Sequence, residues 1–223
     1  MEYSRIYSIH DQAITFEFAD EISEVVNIHV IDLKHYIDEN PFKGLIECVP
    51  AYSSLTVYFN TDINKNEVIE LVSNYNLKLT SQTSIQNSNI ITIPVCYEMG
   101  EDIESVASRL NIKKEEVIQL HTANIYRVYM IGFTPGFPYM GTLPKALTLP
   151  RKDTPLLNVP AGSVAIAGNQ TGIYPFNTPG GWHIIGRTPI KMFEQKNTPC
   201  SFLKPGESVQ FQPISIEAFN QYK

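Results

Sequence analysis

GFTPGFPYMGTLPKALTLP (132–150), RKDTPLLNVPAGSVAIAGNQTGIYP (151–175) and FNTPGGWHIIGR (176–187) run on without a break and hold nine of the chain's twelve glycines and eight of its fifteen prolines. Proline fixes φ and glycine supplies conformations other residues avoid, so the stretch reads as turns and short strands. Such a composition marks either disorder or loops held rigid for a purpose. Phe133, Phe137, Tyr139, Leu143, Val164, Ile166, Tyr174, Phe176, Trp182, Ile184 and Ile185 are interleaved through it. Disordered segments lack that apolar payload. The expectation is an irregular, aromatic-lined wall on a β-scaffold.

The flanks extend the scaffold. Residues 90–95 and 126–131 upstream, and 190–193 and 208–211 downstream, read as strands, with a Pro205-Gly206 turn before the last. Residues 102–110 and 113–122 are two short helices: Ile103, Val106, Ala107 and Leu110 keep helical spacing, as do Val117, Leu120 and His121. Their turn resembles a helix-turn-helix, but the surrounding charge is acidic, and a helical hairpin covering one end of a barrel is the plainer reading. Residues 85–223 are therefore expected to be a mostly β domain, a small closed or nearly closed barrel.

Residues 1–84 follow another pattern. Strands are expected at 5–10 and 13–18, then a helix capped by Asp20 that carries Ile22, Val25, Val26, His29, Leu33 and Ile37. Pro41 and Gly44 end it. Strands at 45–49 and 55–59 follow. Asp62 or Asn64 then starts a helix with Val68, Leu71, Val72 and Tyr75, and a further strand is expected near 77–79. This order implies a small α+β domain with helices on one face of an antiparallel sheet. The polar run 81–89, SQTSIQNSN, is the expected linker.

Composition excludes several roles. The net charge is −6 with no basic run, so a nucleic-acid partner is not expected. No apolar run approaches a membrane span and the N-terminus has no signal-peptide core, so the expected location is cytoplasmic. Cys48, Cys96 and Cys200 are far apart and the five histidines are scattered, which gives neither a disulfide framework nor a metal site. No Walker-type phosphate loop, G-x-S-x-G elbow or H-E-x-x-H motif is present.

The chemistry must come from residue types. Small residues at Ala161, Gly162 and Ser163 let backbone N–H groups approach a carboxylate or phosphate, with the Ser163 hydroxyl beside them; a tight turn without a ligand is the competing reading. Gln170 is placed to bond an amide or carboxylate, or to hold its turn. His183, beside the only tryptophan, Trp182, is the best acid or base by type, against a structural histidine. Arg187 is either a bidentate anion clamp or half of a barrel-edge ion pair. Phe133, Phe137, Tyr139 and Tyr174 are pocket wall or plain core.

Four runs then become specific as a set: VPAYSSLTVYF (49–59), EEVIQLHTANIYRVYMIGFTPGFPYMGTL (115–143), VPAGSVAIAGNQTGIYP (159–175) and TPGGWHIIGRTP (178–189). They make the sequence resemble the allophanate hydrolase subunit 1 family, which includes the B component of 5-oxoprolinase (PxpB) and the kinase inhibitor KipI. The run CYEMG (96–100) departs from the more glycine-rich turn that relatives often carry. The resemblance implies a ferredoxin-like N-terminal domain and a cyclophilin-like barrel. It implies a subunit-2-like (PxpC-type) partner, a third (PxpA-type) subunit, and ATP used by the assembled complex to open 5-oxoproline to glutamate. Within the matching motifs His183 and Arg187 are the expected catalytic side chains. Phe133, Phe137, Tyr139, Ala161, Gly162, Ser163, Gln170, Tyr174 and Trp182 are the expected substrate contacts. A KipI-like inhibitor of a sensor histidine kinase and a component of a biotin-dependent carboxyltransferase share the same family fold and stand as alternatives.

Overall fold

A computed structural model describes residues 1–80 and 90–222, without the side chains of Leu79 and Thr80. Contacts divide the chain into two units, Met1–Asn87 and Ser88–Lys223. The expected linker at 81–89, and with it the 84/85 boundary, lies outside the described residues.

In the first unit the order is β1 (Arg5–His10), β2 (Ala13–Glu17), α1 (Glu24–Glu39), β3 (Leu45–Pro50), β4 (Ser54–Phe59) and α2 (Lys65–Thr80). The sheet order is β1-β2-β4-β3 and every neighbouring pair is antiparallel. Alternation along β4 buries Leu55, Val57 and Phe59. They join Val30, Leu33 and Ile37 of α1 and Val68 and Val72 of α2 in one core.

Two expectations for this unit are corrected. Helix α1 starts after Ser23, not Asp20; Ile22 and Val25 are exposed, and the buried stripe is Val26, Val30, Leu33 and Ile37. The strand expected near 77–79 does not form, because α2 runs on to Thr80. No glycine or proline follows Tyr75 to stop the helix, and a three-residue alternation is too short to compete with it. Asn64, not Asp62, opens α2. Its Oδ1 accepts the Glu67 N–H at 3.1 Å and its own N–H donates back to the Glu67 carboxylate at 3.4 Å, a reciprocal cap.

The second unit begins with β5 (Ile90–Val95), α3 (Ile103–Leu110) and α4 (Lys114–Thr122). Next come β6 (Ile125–Ile131), β7 (Pro138–Gly141), β8 (Leu156–Val159), β9 (Ser163–Ala167) and β10 (Gln170–Ile173). The last elements are β11 (Thr178–Gly180), β12 (His183–Arg187), β13 (Ser208–Pro213) and α5 (Ile216–Gln221). Seven strands make one curled mixed sheet, ordered β12-β9-β10-β7-β6-β13-β5, in which only β13 and β5 run parallel. Its two edges meet. Cys96, just past β5, donates to the Arg187 carbonyl at 2.8 Å, and Arg187 donates back at 3.0 Å.

The concave side holds Val128, Met140, Val164, Ile166, Ile185 and Phe211, joined by Val106 of α3 and Val117 of α4. The other side of β9 and β12 presents Ala165, Ala167 and Ile184 to a second cluster beneath the β8–β11 ribbon. The segment 190–193 is not a strand. Phe193 makes a single bridge to Ser201, while Met192 is drawn into the core from a loop.

Candidate functional site

Strand β12 carries both residues expected to be catalytic, and their side chains meet different surroundings. His183 is 2% exposed, and its Nε2 donates to the Pro150 carbonyl at 2.9 Å. The carbonyl can only accept, so Nε2 carries the proton. Trp182, its sequence neighbour, belongs to the outer cluster with Ile184, while His183 is paired across the ladder with Ile166 of the interior. Trp182, just before β12, and His183, its first residue, thus meet different surroundings and do not share a site.

Five of the expected residues do come together. Phe137 is the hub, with ring centroids 4.9 Å from Tyr139, 5.1 Å from Tyr174, 5.5 Å from Trp182 and 5.6 Å from Phe133. All four contacts are edge-on, the favoured arrangement for aromatic quadrupoles. Phe137, Tyr174 and Trp182 are buried, and burial pushes the Tyr139 and Tyr174 phenols above their usual pKa. Phe133 differs from the rest. It is 60% exposed and adopts a left-handed backbone at φ +65°, unfavourable for a bulky residue. The hydroxyl of the next residue, Thr134, is buried without a hydrogen-bond partner. A strained backbone, an orphan hydroxyl and an exposed ring thus coincide in one loop.

At the far end of β12, where the sheet edges meet, lies a cavity of about 290 Å³ lined by Glu98, Gly100, Glu101, Pro160, Ser163 and Arg187. Gly162 has φ +83° and packs so tightly that a Cβ would overlap the Thr188 carbonyl, which brings the 160–163 turn against β12. The Arg187 Nε donates to the Ala161 carbonyl at 2.9 Å. The guanidinium is therefore oriented by a neutral group, and among the described residues no carboxylate forms an ion pair with it. The barrel-edge ion pair is not found. Ser163 is 2% exposed and lines the cavity, and its hydroxyl makes no hydrogen bond among the described residues.

The expected cradle of backbone donors is not available. Ala161 N–H bonds Asn177 Oδ1 at 2.8 Å, Gly162 N–H bonds the Tyr174 carbonyl at 2.7 Å, and Ser163 N–H bonds the Pro160 carbonyl at 3.2 Å. The turn consumes its own donors, leaving the serine hydroxyl and the arginine facing the cavity. Gln170 pairs with Ala167 and Gly141 at the opposite end of the β9–β10 ladder, roughly 13 Å along the strands from Ser163.

Glu98 and Glu101 were not singled out by residue pattern. The signal that points to them is the departure CYEMG, since the glutamates sit in and beside the segment that lines this cavity. Another group missed in sequence is His121, fully buried, whose Nδ1 accepts from the Tyr97 hydroxyl at 2.7 Å. Its Nε2 donates to Thr171 Oγ1 at 2.9 Å, and that hydroxyl donates on to the Ala165 carbonyl at 3.2 Å. Burial lowers the His121 pKa to about 3.

Comparison with known proteins places the chain. The carboxyltransferase domain, subdomain C and D, family model matches residues 4–203. The 5-oxoprolinase B component of Bacillus subtilis (strain 168) is 41% identical, covering 98% of this chain and 96% of that protein. Its namesake from Escherichia coli O157:H7 is 35% identical over 96% of this chain and 97% of its own length. Among solved structures, TTHA0988 superposes with a TM-score of 0.84 at 35% identity, over 92% of this chain. The match spans only 40% of TTHA0988, so that protein continues well beyond the shared part. Matched along nearly its whole length by both the domain model and the 5-oxoprolinase B components, the chain belongs to the carboxyltransferase subdomain C and D family.

Proposed function

We propose that this chain is the B component of a 5-oxoprolinase complex, which opens the lactam of 5-oxoproline to glutamate at the expense of ATP, and that it is inactive alone. The observation that carries the reading is the 41% identity to a 5-oxoprolinase B component over 98% of the chain. An amide as stable as a lactam needs its carbonyl oxygen activated before water can attack. The seam cavity supplies a half-buried guanidinium for the substrate carboxylate and a serine hydroxyl for a carbonyl oxygen. It does not suit ATP, because the one arginine shares the lining with two carboxylates. The rings of the aromatic cluster pack on one another, and Phe133 is the exposed one among them. In this reading the nucleotide is held by the partner subunits.

The same reading makes the outer aromatic cluster the surface that meets a partner. Exposed Phe133 and the 90% exposed Leu157 of β8 support it. The reading also includes a permuted ferredoxin-like fold for residues 1–84, in which N-terminal β1 takes the edge position beside β2, and a cyclophilin-like barrel for 85–223. The test is reconstitution with PxpC-type and PxpA-type partners. 5-Oxoproline-dependent glutamate formation and ATP hydrolysis are expected only when this chain is present, and none from the chain alone. Full turnover by the partners without it, or steady turnover by the single chain, rejects the reading.

A further inference from the structure

The seam cavity contains a charge arrangement that an anion clamp alone does not explain. Arg187 is oriented by the Ala161 carbonyl and has no carboxylate partner among the described residues. Glu98 and Glu101 line the same cavity, and neither has a cation partner among the described residues. Opposite charges line one cavity yet do not pair with each other. The segment that carries the glutamates is fixed, since a Cβ on Gly100 would overlap the Ile185 carbonyl of β12. The Ser163 hydroxyl faces the same space. The cavity is thus bipolar: a guanidinium on β12, carboxylates on the facing segment, and a neutral hydroxyl. At about 290 Å³ it lies at the small end of ligand sites, which run from roughly 300 Å³ upward, and so suits an amino-acid-sized molecule.

We infer that Glu98 and Glu101 are specificity-determining residues that read an N–H group on the ligand while Arg187 holds its carboxylate. The ligand class is a small carboxylate with an N–H donor on the same skeleton, a lactam or a free α-amino acid. This inference rests on the proposed function, because it takes that complex's substrate and product as the ligands at hand. A carboxylate without such a donor gains the Arg187 contact but leaves the glutamates facing its negative charge unrelieved. A polyphosphate meets the same two carboxylates with more charge still.

The test is ligand titration of the full chain followed by NMR. The ligands are 5-oxoproline, its lactone analogue in which a ring oxygen replaces the N–H, glutamate and ATP. 5-Oxoproline is expected to bind about tenfold tighter than the lactone, the size of one charge-assisted hydrogen bond. ATP should perturb none of the cavity resonances. The double variant Glu98→Gln/Glu101→Gln alters exposed side chains and should keep the melting temperature. It should lose the preference for lactam over lactone, while Arg187→Lys weakens both. Tighter binding of 5-oxoproline than of glutamate assigns the cavity to substrate, and the reverse assigns it to product; either order supports the class. Equal affinity for lactam and lactone, a preference that survives the double variant, or no binding at all overturns the inference. Reconstituted turnover separates the two claims. If the complex requires this chain while the cavity binds without preference, the function stands and the role of the glutamates falls.

Discussion

The two ends of β12 carry the two side chains that residue type alone nominates as catalytic, and only one end is open. At the His183 end the imidazole is buried and donates to the Pro150 carbonyl, with Trp182 turned into an aromatic cluster on the other face. At the Arg187 end the guanidinium is steered by a carbonyl, has no ion pair among the described residues, and faces a cavity with an unbonded serine hydroxyl. The difference teaches that a buried polar group whose N–H is held by a backbone carbonyl reports on folding. One that is oriented but unanswered reports on a ligand.

The largest effect expected from this contrast is at the closed end. Phe137 is 2% exposed and touches four other rings. Phe137→Ala should cost about 3–5 kcal/mol of stability, the usual range for a buried phenylalanine. Chemical denaturation of the second unit reads it; a loss under about 1 kcal/mol would mean that the cluster is a loose surface rather than a core. At the open end the balance reverses. Arg187→Ala should lower 5-oxoproline turnover of the reconstituted complex about ten- to a hundredfold, the equivalent of one charge-assisted bond. Its melting temperature should stay close to that of the unaltered chain. Loss of folding in step with turnover would place Arg187 with the structural residues and erase the contrast.

The contrast is half legible in the sequence. The five aromatic residues of the cluster group together there, because glycine and proline leave them as the only bulky material in their stretch. The 161–163 turn is equally plain, but its expected role as a donor cradle fails. Backbone N–H groups in a turn look free until their partners, here Asn177, Tyr174 and Pro160, are placed in space. Trp182 and His183 read as one site because adjacency in sequence hides the different surroundings that the two side chains enter at the start of β12. Glu98 and Glu101 are invisible as site residues, since the contact between their segment and β12 closes a sheet across some ninety positions. In the first unit, the helical stripe of α2 is plain, but its end is not, because no breaking residue marks it.

A third effect tests whether a satisfied interior histidine behaves as a folding group. His121 is held neutral by burial, with its pKa lowered to about 3, while an unfolded chain protonates histidine near 6.5. As pH falls below about 6.5 the unfolded state takes up a proton that the folded state refuses, so stability falls with it until about pH 3. The slope is about 1.36 kcal/mol per pH unit, or about 2 kcal/mol between pH 6.5 and pH 5. His121→Gln removes the titration and should flatten that part of the stability curve by the same amount, whatever its own cost at neutral pH. Parallel curves for the two proteins would mean that the imidazole takes up a proton within the fold, and that the interior is not closed around it.

The smallest effect sharpens the contrast most. If His183 serves the fold through its Nε2–H, a side chain that presents an amide N–H at a similar reach should replace it. Glutamine can do this, donating from Nε2 to the Pro150 carbonyl while losing the aromatic ring. His183→Gln should therefore cost about 1 kcal/mol or less, since a neutral hydrogen bond is exchanged for another of similar worth. Turnover of the reconstituted complex should stay within about twofold of the unaltered one, because about 1.4 kcal/mol is needed for a factor of ten. His183→Ala, which leaves the carbonyl unanswered, should cost more stability and still spare turnover in the folded fraction. An amide has no proton to exchange near neutral pH, so it can mimic the hydrogen bond and cannot act as an acid or base. A folded His183→Gln chain with turnover lost a hundredfold would therefore assign proton transfer to this imidazole and make both ends of β12 part of the chemistry.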